Sequence, residues 1–253
     1  KECKGCYTPQ IVGNKLFPEI RMSAAKIAAQ PYDYRGVVGS LLYLARTTRP
    51  DIANAVRELS RFLSCYNKTH WEAARRVLKY LKQTSNYGLF IDGNINYLIY
   101  EVYTDASFAC QEKERISVTG YCVMLAGVCI SWCSSRQKCV AVSTAESELI
   151  ALSEGVKESE WFWQLLTELG FKQSNPIIIK CDSKSAIAVI QNPGNHKATK
   201  HIETRYLFTR DLVEKGRINL QYCNEMLADI LTKPLAGSQF ETLRFKLGVR
   251  ELL

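Results

Sequence analysis

The stretch VTGYCVMLAGVCISWC, residues 118–133, contains two short runs rich in β-branched, aromatic and other apolar residues, Val118–Leu125 and Val128–Cys133. Runs of this length and composition are typical of β-strands. Turn residues separate the two runs, as they do between neighbouring strands of a meander. The stretch therefore predicts two adjacent antiparallel strands, and the rest of the predicted fold builds on them.

Further elements extend this pattern in both directions along the chain. Three other short runs, Leu89–Ile91, Tyr97–Thr104 and Cys139–Val142, are also β-rich and complete a predicted antiparallel meander. A long helix is predicted over Ala145–Leu169, followed by a buried strand over Ile177–Cys181. The remaining predicted elements are helices over 183–191, 201–215, 227–233 and 240–247 and a strand over 218–223. This order predicts an α/β or α+β domain with a mixed sheet.

The first third of the chain has helical signals instead. A helix is predicted over Tyr34–Thr48, which stops before Pro50 because the residue before a proline disfavours the helical conformation. Pro50 opens a second helix, and Thr69 is predicted to cap a third with Glu72 as its capping-box partner. We therefore predict a three-helix unit with short connections. The predicted parts of the chain are an N-terminal extension over 1–33, the three-helix segment over 34–92 and the sheet domain over 93–253.

Composition limits the class of protein. Apolar residues make up 47% of the 253 residues and charged residues 23%, which is the ordinary balance of a globular domain. No run of about 18 apolar residues exists, so we expect no membrane span. The N-terminus does not resemble a signal peptide and lacks an initiator Met, so we expect a piece of a longer polypeptide.

The positive charge is distributed unevenly. The net charge is +8, and residues 1–92 hold 15 Lys and Arg against 7 Asp and Glu, whereas the rest of the chain is balanced. Four basic residues recur at helical spacing on the third predicted helix and form a basic stripe, Arg75, Arg76, Lys79 and Lys82. Such a stripe predicts contacts to nucleic-acid phosphates without reading their sequence. The alternative is a solvated basic face without a ligand.

Four acidic residues lie next to apolar residues, where charges are costly unless something neutralises them. Asp105 and Asp182 each follow a predicted strand. Glu148 lies on the apolar face of the long helix, and Asp229 lies in the predicted helix 227–233. Clustered carboxylates repel one another, and hard divalent cations that prefer oxygen offset that repulsion. We expect a divalent-metal site, and the alternative for each acid is a solvated strand end or helix cap.

Ordered motifs surround these acids: Tyr103-Thr-Asp-Ala-Ser107, Ser143-Thr-Ala-Glu-Ser-Glu-Leu149, Cys181-Asp-Ser-Lys-Ser185 and Ala228-Asp-Ile-Leu-Thr-Lys-Pro234. In this order they resemble the ribonuclease H family. More narrowly, most of the chain is similar to the C-terminal part of copia-type retrotransposon Pol polyproteins. The narrower resemblance is carried by residues 39–44, 48–52, 75–82, 117–121, 130–132, 136–143, 199–202 and 228–235.

The resemblance implies a ribonuclease H-like fold, a mixed five-stranded sheet flanked by helices, preceded by a reverse transcriptase thumb or connection segment. It implies endonucleolytic cleavage of the RNA strand of RNA–DNA hybrids, with two Mg²⁺ ions as cofactors and Mn²⁺ as a substitute. Ser107 and Ser183, with Glu148, are the implied contacts to RNA 2′-hydroxyls. The implied partners are the hybrid and the upstream reverse transcriptase portion. The implied location is intracellular, in a cytoplasmic virus-like particle or in the nucleus.

The resemblance also assigns roles to the acids. The family's catalytic and metal-binding set, in the order D-E-D-D, corresponds to Asp105, Glu148, Asp182 and Asp229. Asp105 is expected to bridge both ions, with Glu148 and Asp182 on one ion and Asp229 on the other. Glu146 competes with Glu148 for the second position. We prefer Glu148 because it immediately precedes a Leu-x-Ala-Leu pattern.

Two alternatives to the nuclease stay open. A catalytically degenerate transposon remnant that binds nucleic acid or acts as a scaffold is favoured by residues 224–228, a segment shorter than is usual in the family. A transposase or integrase of the same superfamily is disfavoured, because those proteins have a D-D-E order. A hybrid-cleavage assay separates the enzyme from the remnant.

Overall fold

The computed structural model describes residues 4–91, 99–110, 115–171, 173–192 and 203–252. The chain forms two compact units. The first unit contains Lys1–Ile91 together with Lys233–Leu253, and the second is Asp92–Thr232. No helix in the described ranges combines the length and the hydropathy that crossing a membrane requires.

Helices and strands follow one another in this order within the described residues. The first unit begins with α1 (Ala24–Ala28), α2 (Tyr34–Thr47), a 3-10 turn (Pro50–Ile52), α3 (Ala53–Ser60), α4 (Lys68–Gln83) and β1 (Tyr87–Leu89). The second unit contains β2 (Tyr100–Ser107), β3 (Val118–Leu125), β4 (Val128–Arg136), α5 (Thr144–Glu168), β5 (Ile177–Cys181), α6 (Lys184–Gln191), α7 (Glu203–Glu214), β6 (Ile218–Tyr222) and α8 (Asp229–Thr232). The chain returns to the first unit with α9 (Gly237–Lys246) and β7 (Val249–Glu251).

Aromatic residues form much of the core of the first unit. Tyr34, at the start of α2, is fully buried, and its ring stacks on Tyr66 with 4.5 Å between the ring centroids. Its hydroxyl donates a hydrogen bond to the carbonyl oxygen of Leu59 at 2.9 Å. Tyr80 of α4 is also fully buried. Burial raises the pKa of both phenols, so both hydroxyls stay neutral donors.

A buried ion pair lies between α2 and α4. The Arg49 guanidinium donates to both carboxylate oxygens of Asp51, at 3.0 and 2.8 Å. Arg49 also donates to Thr84 at the end of α4, and the Tyr80 hydroxyl donates to Asp51. Buried charges are tolerated when such additional hydrogen bonds satisfy them. The pair therefore links the turn at Pro50 to the end of α4.

The C-terminal residues pack on the first unit. β7 pairs antiparallel with β1, and Tyr87 lies opposite Glu251. Phe240 of α9 packs edge-on against Tyr80, with ring centroids 5.6 Å apart. The boundaries 1–33, 34–92 and 93–253 stay a prediction, and the compact units differ from them at the C-terminus because of these contacts.

The second unit contains one mixed sheet with the strand order β4-β3-β2-β5-β6. β2, β3 and β4 form an antiparallel meander, while β5 runs parallel to β2 and β6 runs parallel to β5. Apolar residues of β2, β5, β6 and α5 meet in one buried core. The predicted fold class, a mixed five-stranded sheet flanked by helices, is confirmed.

Two predicted strands and one predicted helix cap differ from the structure. Residues 139–142 form no strand, and Val140 and Val142 are exposed, so their branched side chains have no neighbouring strand to pack against. The run predicted over 89–91 belongs partly to β1, which pairs with β7 and does not join the meander. Asn67, and not Thr69, caps α4, because its side chain reaches the first backbone N–H groups of the helix. Residues 97–98 and 201–202 of two predicted elements lie outside the described ranges.

Candidate metal centre

Two of the four acids lie on neighbouring parallel strands. Thr104 of β2 pairs with Cys181 of β5, and Asp105 and Asp182 are the residues that follow this pair. Parallel strands run to the same edge of a sheet, so the strand register alone brings these two carboxylates together. Asp105 is 1% exposed, and Asp182 is half-buried.

The third acid, Asp229, is the first residue of the short helix α8. Gly120 of β3, the ladder partner of Asp105, lies against this helix. A Cβ atom at Gly120 would come within 2.5 Å of Thr232 Cγ2, which is closer than packed atoms allow, and within 3.2 Å of the carbonyl oxygen of Ala228. The missing side chain at 120 therefore permits the close approach of α8 that brings Asp229 to Asp105.

The fourth acid, Glu148, lies near the start of α5 and is 9% exposed. α5 approaches the sheet closely at Gly155, where a Cβ atom would come within 2.5 Å of Thr104 Cγ2. The competing acid, Glu146, accepts a hydrogen bond from the backbone N–H of Val142 at 2.7 Å. This contact at the helix N-terminus accounts for the burial of Glu146 and favours Glu148 as the site acid.

The side-chain atoms of these acids form two groups that share Asp182. One carboxylate oxygen from each of Asp105, Asp182 and Asp229 lies within 4.8 Å of the other two. Carboxylate oxygens of Glu148 and Asp182 and the Sγ of Cys181 also lie within 4.8 Å of one another. The structure thus brings the four predicted acids together, while their roles as metal ligands and catalytic residues stay a prediction.

The donor set of the first group fits a hard divalent cation. It consists of three carboxylate oxygens from three separate elements, and such oxygens are the ligands that Mg²⁺ and Mn²⁺ prefer. Like charges held this close repel one another. A bound divalent cation offsets that repulsion, so the residues present are suited to hold one.

Cys181 lies in the site but was not among the predicted site residues. Its side chain is fully buried, and burial, with a smaller contribution from the negative charges of Glu148, Asp182 and Asp105, raises the pKa of the thiol to about 12. A protonated thiol is a poor ligand for a hard cation. Cys181 therefore packs beneath the carboxylates, and its position directly before Asp182 at the end of a buried strand was the available signal.

Thr232, the last residue of α8, is a second site neighbour outside the set of predicted residues. Its Oγ1 donates a hydrogen bond to Asp105 Oδ2 and lies 3.3 Å from the carbonyl oxygen of Asp229. The motif Ala228–Pro234 contains this threonine. The motif does not indicate the partner, because Asp105 lies 127 residues earlier in the chain.

The predicted basic stripe on α4 divides between two surroundings. Arg76 donates to the carbonyl oxygen and to Oγ1 of Thr8, at 3.1 and 2.9 Å, and with Lys79 it lines a cavity of about 260 Å³ beside the N-terminal segment. Arg75 and Lys82 are exposed. The structure therefore does not bring the four side chains to one open face, and phosphate contact stays a prediction that now fits Arg75 and Lys82 best.

The two serines among the predicted RNA contacts lie close to site acids in the sequence. Ser107 is the last residue of β2, and Ser183 directly follows Asp182. Ser183 caps α6, because its Oγ accepts a hydrogen bond from the backbone N–H of Ala186 at 3.2 Å. Contact of these hydroxyls with RNA stays a prediction.

Comparison with known proteins finds related sequences but no matching protein-family model. The chain is 38% identical over 234 residues to the retrovirus-related Pol polyprotein from transposon RE1 of Arabidopsis thaliana, and 40% identical over 240 residues to that from transposon TNT 1-94 of Nicotiana tabacum. These alignments cover 92% and 94% of this chain but 16% and 18% of the relatives, so the chain spans less than a fifth of their length. Among solved structures, LC11-RNase H1, isolated from compost, matches 54% of this chain and 94% of its own, with 13% identity and a TM-score of 0.41.

Proposed function

Because this chain belongs to the family of copia-type retrotransposon Pol polyproteins, we propose that its second unit is the ribonuclease H of such a polyprotein. The proposed reaction is endonucleolytic cleavage of the RNA strand of an RNA–DNA hybrid. The first unit is proposed to be a thumb or connection segment of the reverse transcriptase. The hybrid and the upstream reverse transcriptase portion are the proposed partners, and the proposed location is inside the cell.

The observation that carries this proposal is the meeting of four acids from four separate elements. The acids come from β2, α5, the end of β5 and α8, and their carboxylate oxygens form the two overlapping groups. Asp105 and Glu148 are 1% and 9% exposed. Acids without a ligand are usually exposed and spread over the surface, because burial and mutual repulsion both disfavour clustered carboxylates.

The grouping of the acids suggests how metal ligation is divided. Divalent cations bound at these carboxylates would activate an attacking water and stabilise the departing 3′ oxygen, as in two-metal hydrolysis. Asp105, Asp182 and Asp229 would hold one Mg²⁺ or Mn²⁺, and Glu148 with Asp182 would hold the other. In this arrangement Asp182 is the shared acid, in place of the bridging role that the family resemblance implies for Asp105.

Selectivity for RNA is proposed to come from hydroxyl groups beside the acids. Ser183 Oγ accepts a hydrogen bond from the backbone N–H of Ala186 and lies 3.0 Å from Ser185 Oγ. When Ser185 is the donor in that second contact, the Ser183 hydrogen can be donated to a 2′ oxygen. A 2′-hydroxyl distinguishes RNA from DNA at any such contact. Ser107, at the end of β2, is the second proposed contact.

The alternative of a degenerate binding module rests on the shorter segment at residues 224–228. A shift of Asp229 away from the other acids would support that alternative. Asp229 instead lies within 4.8 Å of Asp105 and Asp182, measured between one oxygen of each. The geometry of α8 therefore favours the enzyme.

A cleavage assay with matched amide substitutions tests the proposal. With a fluorescent RNA–DNA hybrid and Mg²⁺, we expect Asp105→Asn to lower the cleavage rate of the full chain by at least roughly a hundredfold, because a charged metal ligand is lost. Asp211→Asn is the control, because Asp211 is an exposed acid of α7 that pairs with Lys215. The control should retain the wild-type rate.

Two results would count against the proposal in different ways. Cleavage that persists in Asp105→Asn contradicts the assignment of the site. A wild-type chain that binds the hybrid without cleaving it, at any Mg²⁺ or Mn²⁺ concentration, supports the non-catalytic binding module.

A further inference from the structure

Helix α8 carries a site acid at its first position and a buried threonine at its last. Thr232 is 3% exposed, and its hydroxyl donates a hydrogen bond to Oδ2 of Asp105, which is 1% exposed. Water therefore has little access to this bond. We propose that Thr232 is a positioning residue that fixes the Asp105 carboxylate for cation binding, an inference that rests on the proposed function of the site.

The hydrogen bond restricts the orientation of the carboxylate. An aspartate side chain can rotate about two bonds, and the plane of its carboxylate decides where its oxygens point. A donor fixed on Oδ2 removes most of that freedom. Groups that hold a ligand from outside the coordination shell are typically worth roughly 10- to 100-fold in metal affinity.

The packing of α8 places the threonine for this role. Gly120 is the ladder partner of Asp105. Because Gly120 has no side chain, it leaves room for Thr232 directly beside Asp105. On the neighbouring strand, Ser134 Oγ donates to the carbonyl oxygen of Leu231 at 2.6 Å. These contacts hold the helix against β3 and β4. Because Asp229 is the first residue of the same helix, these contacts also set the distance between Asp229 and Asp105.

A purely structural threonine would behave differently. Thr232 Oγ1 also lies 3.3 Å from the carbonyl oxygen of Asp229 within its own helix. If that contact were its only function, loss of the hydroxyl would change the stability of α8 and leave the affinity of the folded protein for cations unchanged. Cation affinity and stability must therefore be measured separately.

The test is a titration of the full chain with Mn²⁺ alone, followed by electron paramagnetic resonance of the free ion. Thr232→Val keeps the shape and removes the hydroxyl, and Thr232→Ser keeps the hydroxyl. We expect Thr232→Val to raise the Kd for Mn²⁺ about tenfold and Thr232→Ser to stay within about twofold of wild type. Thr167→Val is the matched control, because the Thr167 hydroxyl donates to Trp163 on its own helix.

Circular dichroism establishes that each variant is folded. If Thr232→Val does not fold, Thr232→Ala removes the same hydroxyl without branched bulk, and the same comparison applies. A folded variant without the hydroxyl that binds Mn²⁺ as tightly as wild type overturns the inference. So does a folded Thr232→Ser that binds as weakly as Thr232→Val.

The same measurements separate this inference from the nuclease proposal. If wild type binds Mn²⁺, Thr232→Val binds it more weakly and neither cleaves the hybrid, the positioning role stands and the nuclease proposal fails. If wild type cleaves and the variants bind Mn²⁺ equally well, the nuclease proposal stands and the positioning role fails. A wild-type chain that takes up no Mn²⁺ contradicts both.

Discussion

Arg49 and Asp51 form an ion pair with almost no access to water. Their exposed fractions are 6% and 2%, and Thr84 and Tyr80 complete their hydrogen bonds. Burial opposes the charged form of Arg49, but the hydrogen bond to Asp51 and its charge outweigh this and raise the pKa of the guanidinium. Each charge of the pair therefore depends on the other.

Removal of the arginine alone leaves an uncompensated buried carboxylate. We expect Arg49→Met to lower the free energy of unfolding of the first unit by about 3–5 kcal/mol. The double variant Arg49→Met/Asp51→Leu should recover most of that loss, because neither charge is then buried. Urea denaturation, monitored by hydrogen exchange of the α4 amides, measures the free energy of unfolding of both variants.

The matched control is Arg75→Met, which breaks an exposed pair with Glu72 on α4. Exposed pairs contribute about 0–1 kcal/mol, so this variant should unfold close to wild type. A double variant that is no more stable than Arg49→Met would show that the cost comes from weaker packing and not from the stranded charge.

At the scale of elements, α4 presents two faces with different surroundings. Arg76 lies against the N-terminal segment and bonds Thr8, whereas Arg75 and Lys82 lie on an exposed face. If the exposed face holds phosphates, its charges release counterions from nucleic acid on binding. The arginine that bonds Thr8 should instead contribute to stability.

Salt dependence tests this division. We expect Arg75→Gln/Lys82→Gln to weaken hybrid binding and to reduce the slope of log K against log salt by about 0.9 for each phosphate that the variant no longer neutralises. Lys215→Gln, an exposed and ion-paired lysine that follows α7, is the control and should leave the slope unchanged. An unaltered slope in the double variant would mean that this face of α4 meets only solvent.

Elements with local signals were predictable from the sequence. The strands Val118–Leu125 and Ile177–Cys181 have the predicted bounds, because each is an apolar run ended by polar or turn residues. The run over 139–142 has similar residue types and is no strand, because strand formation depends on a neighbour to pair with and pack on. β7 was not predicted, because it is short and its partner β1 lies far earlier in the chain.

The same distinction holds in the site. Motifs identified the four acids, but the division of those acids into two groups that share Asp182 depends on strand register and on the approach of α8. Thr232 enters through a hydrogen bond to Asp105, 127 residues earlier in the chain, which no local pattern encodes. The sequence therefore predicted which residues carry the negative charge, but it did not predict which neighbouring side chains contact them.

At the scale of the whole molecule, the C-terminal residues complete the first unit. Removal of residues 233–253 takes away Phe240, which packs on Tyr80, and β7, which pairs with β1. We expect this truncation to increase amide exchange in α4 and β1, because it removes their packing partners. Exchange in the five-stranded sheet should stay at its wild-type level. Hydrogen exchange with mass spectrometry reads both units in one experiment, and full protection of α4 in the truncated chain would contradict the expectation.

The pairing of β1 with β7 makes the first unit discontinuous in sequence, whereas the second unit is one continuous segment. During translation, residues 92–232 emerge from the ribosome before residues 233–253 do. The continuous unit then has all of its chain available for folding while the other still lacks a helix and a strand. The second unit, with its carboxylate site, can therefore fold on the nascent polypeptide before β7 pairs with β1 and completes the first unit.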